Sequence, residues 1–172
     1  MAHISLTGHI VVYTLNSMKA MPSSTAVAIA AECLAVRVRV LSRAVTSLYD
    51  EALRPYGLKV TQMNLLVALS MLGGGRPSRL CDLLHMERST FSRTIERMQR
   101  NGWVATQPDV DARTYLVSVT LAGMALLERA KPAWDAAQAQ TLALLGDEGA
   151  RALLEAGNGL MGARAGEAAG SP

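Results

Sequence analysis

Residues 77–120 read PSRLCDLLHMERSTFSRTIERMQRNGWVATQPDVDARTYLVSVT, and the order of elements in this stretch decides the fold. Ser78 is placed to cap a short helix that turns Leu80, Leu83 and Leu84 inward. The turn His85-Met86-Glu87-Arg88 leads to Ser89, the expected cap of a second helix, which stops at Asn101-Gly102. Residues 103–107 and 114–119 then read as two strands of a hairpin, tipped by Pro108-Asp109-Val110-Asp111-Ala112-Arg113.

At about 100° per residue, Phe91, Ile95 and Met98 fall within about 60° of one another and pack inward. Ser89, Arg93, Arg97 and Arg100 gather on the opposite side. Short helix, tight turn, basic helix and ribbon form the ground plan of a winged helix-turn-helix, whose second helix enters the major groove. This assigns Arg88, Ser89, Thr90, Ser92, Arg93 and Arg97 to DNA recognition. The competing reading is a solvated face held by Glu96–Arg100 pairing at i, i+4. A lone basic helix would favour that reading; the short helix before it and the arginine-tipped hairpin after it favour DNA. At the tip, Asp111 is expected to brace Arg113 by a charge-assisted hydrogen bond, so that the guanidinium reaches a narrow, electronegative minor groove.

The 172 residues suffice for one domain with a real core. Hydrophobic residues make up 50 % and aromatics only 4 %, a balance that suits helices packed with Leu, Ala, Val and Met rather than a β-sandwich. The formal net charge of +3 does not by itself identify a nucleic-acid binder, so the distribution of charge must. Lysine occurs only at 19, 59 and 131, and the remaining cations are arginines, which suit bidentate contacts with phosphate and guanine. The two cysteines make no disulfide framework, and no Cys/His cluster has zinc-site spacing. Ile10-Val11-Val12-Tyr13 is far too short for a membrane span, and no secretory signal is apparent. The expectation is a cytoplasmic protein with no membrane association.

Residues 1–23 read as a flexible arm, or as an over-extended start with Met21 as the initiator. Over 24–56, Leu34, Val38, Leu41, Val45, Leu48 and Ala52 form one apolar stripe, expected on a continuous dimerisation helix that ends at Pro55-Tyr56-Gly57. The DNA-binding region covers 57–120. It opens with a helix capped by Thr61, which turns Leu65, Leu66, Leu69 and Leu72 to the core and breaks at Gly73-Gly74-Gly75, read as a flexible joint. Thr120 caps C-terminal dimerisation helices over 121–160, with a bend expected at Pro132 and a last segment opened by Asp147. Residues 161–172 read as a disordered tail. The fold class is mainly α with a small β-hairpin wing, flanked by N- and C-terminal dimerisation helices.

Residues from about 32 to 155 resemble the MarR family of bacterial transcriptional regulators. The marks are Leu80-Cys81-Asp82-Leu83-Leu84, Arg88-Ser89-Thr90-Phe91-Ser92-Arg93, Asn101-Gly102-Trp103-Val104, Asp109-Val110-Asp111-Ala112-Arg113 and Thr120-Leu121-Ala122-Gly123. Singly they are weak; in this order and spacing they are specific. The resemblance implies an obligate homodimer whose first and last helices interlock, while two winged lobes straddle a pseudo-palindromic operator in double-stranded DNA. Phenolic or other aromatic ligands, or oxidants, release such regulators. His85 departs from the family's usual glycine and Cys81 from its usual alanine, and the last helix is rich in glycine.

No catalytic constellation, cofactor motif or metal site is legible. Cys33 is the one candidate redox sensor, since a helix start and nearby Arg37 would favour a thiolate; a plain structural cysteine is the competing reading. Cys81 reads as a small core residue. Tyr49, Tyr56, Met63 and Trp134 are candidates for a pocket for an unknown small-molecule effector, where the first, second and C-terminal helices meet the winged lobe. The expected function is a homodimeric, sequence-specific DNA-binding regulator, a repressor released by a small ligand or oxidant. The alternative is a winged-helix protein-interaction module without specific DNA binding.

Overall fold

The computed structural model describes residues 23–110 and 114–169, with side chains described up to residue 160. Two compact units meet in sequence between Arg39 and Val40, and each is described by itself.

In the first unit, Ser23 caps helix α1 (Ser24–Glu32) by accepting from the Ala26 amide at 3.1 Å. The expected single helix breaks at Cys33, whose ψ of 103° is extended, and α2 (Leu34–Leu53) starts afresh. No glycine or proline marks this break. Arg37 stabilises it by donating to the Ala31 and Cys33 carbonyls at 2.5 and 3.0 Å, which takes up oxygens left over at the end of α1.

The second unit holds the core. α2 enters it with Tyr49 and Leu53 buried, and an Arg54–Tyr56 turn follows. Helix α3 (Val60–Leu72) is capped at Lys59, not at Thr61 as the sequence suggests. The Gln62 side chain accepts from the Lys59 amide at 2.9 Å, and the Asp50 carboxylate reaches from α2 to accept from Val60 at 2.8 Å. A partner ten positions upstream therefore displaces the local candidate. Leu65, Leu66 and Leu69 are fully buried.

The triple glycine after α3 is no flexible joint. Gly75 exchanges two backbone hydrogen bonds of 2.9 Å with Val117, forming an antiparallel bridge to the hairpin. Gly74 has φ +115°, and a Cβ there would sit 3.0 Å from the Val117 carbonyl oxygen, so this approach requires glycine.

Helix α4 (Pro77–Leu84) places Pro77 in its first turn and Arg76 at the cap, where Ser78 was expected. His85 closes it at φ 50°, ψ 45°, the left-handed conformation glycine usually supplies. Helix α5 (Arg88–Arg100) is capped at Glu87, so Ser89 lies inside the first turn rather than before it. Strands β1 (Val104–Pro108) and β2 (Tyr115–Val119) pair antiparallel from Val104↔Val119 to Pro108↔Tyr115.

Thr120 caps α6 (Leu121–Ala169) as the sequence indicates, accepting from Gly123 at 3.1 Å and donating to the Gly102 carbonyl at 2.6 Å. The non-helical residue inside α6 is Gly146 (φ 68°, ψ 167°), not Pro132. Proline removes one hydrogen bond yet keeps a helical φ, whereas glycine alone adopts the conformation found at 146 without strain. Asp147 does follow that break. The helical backbone continues to Ala169, where the sequence suggested disorder.

Candidate nucleic-acid interface

The apolar side of α5 seats it: Phe91, Ile95 and Met98 are 1 %, 3 % and 0 % exposed. Full burial of such side chains contributes about 1.5–3 kcal/mol each, enough to hold the helix in one rotational setting. That setting leaves Arg88, Ser89, Thr90, Ser92, Arg93 and Arg97 all exposed. Arg93 lays its Nε against the Ser89 carbonyl at 3.1 Å, and the Thr94 hydroxyl donates to Thr90 at 2.7 Å. The ion pair that the competing reading needs does not form. Arg100 instead donates from Nε to the main-chain oxygen of Glu96 at 3.4 Å. Among the described residues, no carboxylate lies within ion-pair distance of Arg88, Arg93 or Arg97.

Beside the Gly75–Val117 bridge, two side-chain contacts among the described residues tie the wing to the motif. Gln99 donates from α5 to the Thr106 hydroxyl on β1 at 3.1 Å. At the far end, Arg76 donates from Nε to Asp109 at 2.5 Å, and this hydrogen bond, more than any other cause, holds the Asp109 carboxyl below its ordinary range. The Asp109 amide also donates to the Thr114 carbonyl at 3.1 Å. Sequence reasoning missed the Arg76–Asp109 pair because the partners stand on separate elements with nothing local to link them. Asp111 and Arg113, the expected braced pair, lie outside the described residues.

The two cysteines separate. Cys81 is buried at 5 % exposure, and its thiol is pushed up by desolvation, with nearby Arg88 opposing the shift. Cys33 is half-buried at the junction of α1 and α2, and the Arg37 guanidinium there engages main-chain oxygens. Of the residues considered for an effector pocket, Tyr49 and Met63 are buried in the hydrophobic core, and Tyr56 and Trp134 pack against it. Tyr49 donates from its hydroxyl to Gln138, and its ring lies 6.3 Å from that of Trp134. These contacts are those of core residues. No helix among the described residues is long and apolar enough to cross a membrane.

A MarR family profile matches residues 56–113, from the turn before α3 to the wing tip. The curated relative YwoH of Bacillus subtilis, described as an uncharacterized HTH-type transcriptional regulator, is 33% identical over 79 residues. That match covers 46% of this chain and 58% of YwoH, so the chain spans little more than half the length of that relative. Among solved structures, the M. tuberculosis transcriptional regulator MosR in complex with DNA is 33% identical, with a TM-score of 0.65 over 77% of this chain and 99% of MosR. A mutant MarR from E. coli in complex with operator DNA shares 20% identity and the fold, with a TM-score of 0.67 over 74% of this chain and 92% of MarR. One-third identity to a regulator matched nearly end to end, joined to a family profile over the motif helices and wing, places this chain in the MarR family of transcriptional regulators.

Proposed function

We propose that the chain is a homodimeric, sequence-specific DNA-binding regulator, acting as a repressor that α5 docks in the major groove of a pseudo-palindromic operator. The observation that carries this is the division of α5, with Phe91, Ile95 and Met98 buried beneath a face whose arginines are exposed and, among the described residues, have no carboxylate within ion-pair distance. A solvated decorative face would gain from i, i+4 ion pairs, and this one forms none among the described residues. Titration against a labelled duplex from the segment upstream of its own coding sequence, at several salt concentrations, tests the reading. Binding should weaken steeply as salt rises, because phosphate contacts release counterions. Arg93→Ala should cost about 1–3 kcal/mol of specific affinity if Arg93 contacts a base. Salt-insensitive binding, or an unaffected Arg93→Ala, would count against it.

Dimerisation is supported by apolar side chains that a single chain leaves in water. Leu34 and Val38 are 75% and 65% exposed in the first unit, and Leu154 and Leu160 are 59% and 64% exposed in the second. Each such residue forgoes its burial energy unless another surface covers it. Sedimentation at micromolar protein should show a dimer, and a folded monomer would refute this part. Release by a small ligand or an oxidant rests on the family likeness alone; loss of DNA binding in the presence of aromatic acids or peroxide is its test.

A further inference from the structure

A groove of about 270 Å³ runs between the start of α3 and the outer side of α5. Lys59, Thr61 and Gln62 line one wall, and Thr90, Arg93, Thr94 and Arg97 the other. Three of these seven side chains are cations, none is an anion, and three threonine hydroxyls lie among them. An adjoining groove shares Lys59, Gln62 and Arg97 with the first and adds Arg54, Asp50 and Glu51; there Glu51 pairs with Arg54 at 3.8 Å and Asp50 accepts from the Val60 amide.

Position along α5 separates its arginines. At 1.5 Å of rise per residue, Arg97 lies about 13 Å further along the axis than Arg88. The major groove is only about 8.5 Å deep, and helix-turn-helix proteins read bases with the N-terminal residues of the recognition helix. A helix that reads bases through Arg88, Ser89 and Ser92 at its N-terminal end leaves Arg97, about two and a half turns further on, outside that base-reading segment. Lys59 stands across the groove from Arg97, on a different element. The positive end of α3 is not what makes the site, since the Asp50 carboxylate already caps the Val60 amide. Mobile cationic side chains make it.

We propose that Lys59 and Arg97, with the Thr61 hydroxyl, clamp a DNA backbone phosphate, so that α5 is divided between base reading at Arg88–Arg93 and backbone gripping at Arg97. This rests on the DNA-binding reading and refines it: Arg97 contributes affinity and register, not sequence preference.

The test uses the full-length protein and two fluorescein-labelled duplexes, one from its own upstream segment and one scrambled to the same length. Affinity is measured against salt for wild type, Lys59→Gln, Arg97→Gln and the double variant, all exposed substitutions whose folding is checked by circular dichroism. Each lost phosphate contact lowers the slope of log affinity against log salt by about 0.9, hence about 1.8 for a dimer. Because the two cations share one phosphate, each single variant should show part of that reduction and the Lys59→Gln/Arg97→Gln double variant the whole of it, on both duplexes, with the ratio of the two affinities unchanged from wild type. An unchanged slope for the double variant on the scrambled duplex, or an altered ratio for Arg97→Gln, overturns the clamp while leaving the DNA reading standing. A wild type that binds neither duplex overturns both.

Discussion

Replacing Gly123 with alanine tests how the wing is anchored to the long helix. Gly123 lies in the first turn of α6, and a Cβ there would be driven into the Trp103 carbonyl oxygen, with the Trp103 carbonyl carbon at 3.1 Å and Val119 Cγ2 at 2.9 Å. The obstacle is main chain, so no side-chain rotation relieves it. That same carbonyl accepts from the Thr120 amide at 3.0 Å, and Thr120 in turn caps Gly123. Overpacking of this kind costs about 1–3 kcal/mol, and each hydrogen bond stretched by the shift about 1 kcal/mol more. Against this, alanine improves on glycine by about 1 kcal/mol in a helix interior, and by less in a first turn. The steric cost wins, and Gly123→Ala should lose about 1–3 kcal/mol, a fall in Tm of about 2–4 °C per kcal/mol for a chain of this size. Far-UV circular dichroism melts at matched protein concentration measure it, since association makes melting depend on concentration. Gly159→Ala is the internal control: nothing lies within 4 Å of a Cβ there and the position faces away from the Leu154–Leu160 stripe, so that variant should gain up to about 1 kcal/mol. A Gly123→Ala protein as stable as wild type would refute the close-approach argument.

Three further expectations follow from single contacts. Asp109 is held below its ordinary range in the folded protein by Arg76, so the pair stabilises fully above the carboxylate range and is lost as pH falls through the lowered value. The stability gap between wild type and Asp109→Asn should accordingly shrink on acidification, and a gap that widens in acid would contradict the pairing. His85→Gly should stabilise by about 0.5–1 kcal/mol in urea titration, because the relief of a left-handed residue, about 1–2 kcal/mol, exceeds the added freedom of the unfolded chain; a less stable variant would show that the His85 side chain contributes more than its backbone costs. Cys33→Ser should bind the upstream duplex like wild type and keep any response to organic peroxide, and a variant deaf to a peroxide that releases wild type would make Cys33 a sensor.

Much of the fold was legible because it rests on periodicity and local chemistry. The inward set Phe91, Ile95 and Met98 follows from 3.6-residue spacing, and burial of those three dictates which face of α5 carries the exposed arginines. The hairpin, the stop at Gly102 and the Thr120 cap are likewise properties of neighbours in sequence. Tertiary structure decided the rest, wherever a distant group competed with a local one. Asp50 moved the start of α3 ahead of Thr61, and β2 turned the triple glycine into a bridge. Arg76 captured Asp109 at the base of the wing tip. The groove joining Lys59 to Arg97 has the same origin: their elements meet only through the packed core, and sequence periodicity records which face is apolar but not which neighbour that face will find.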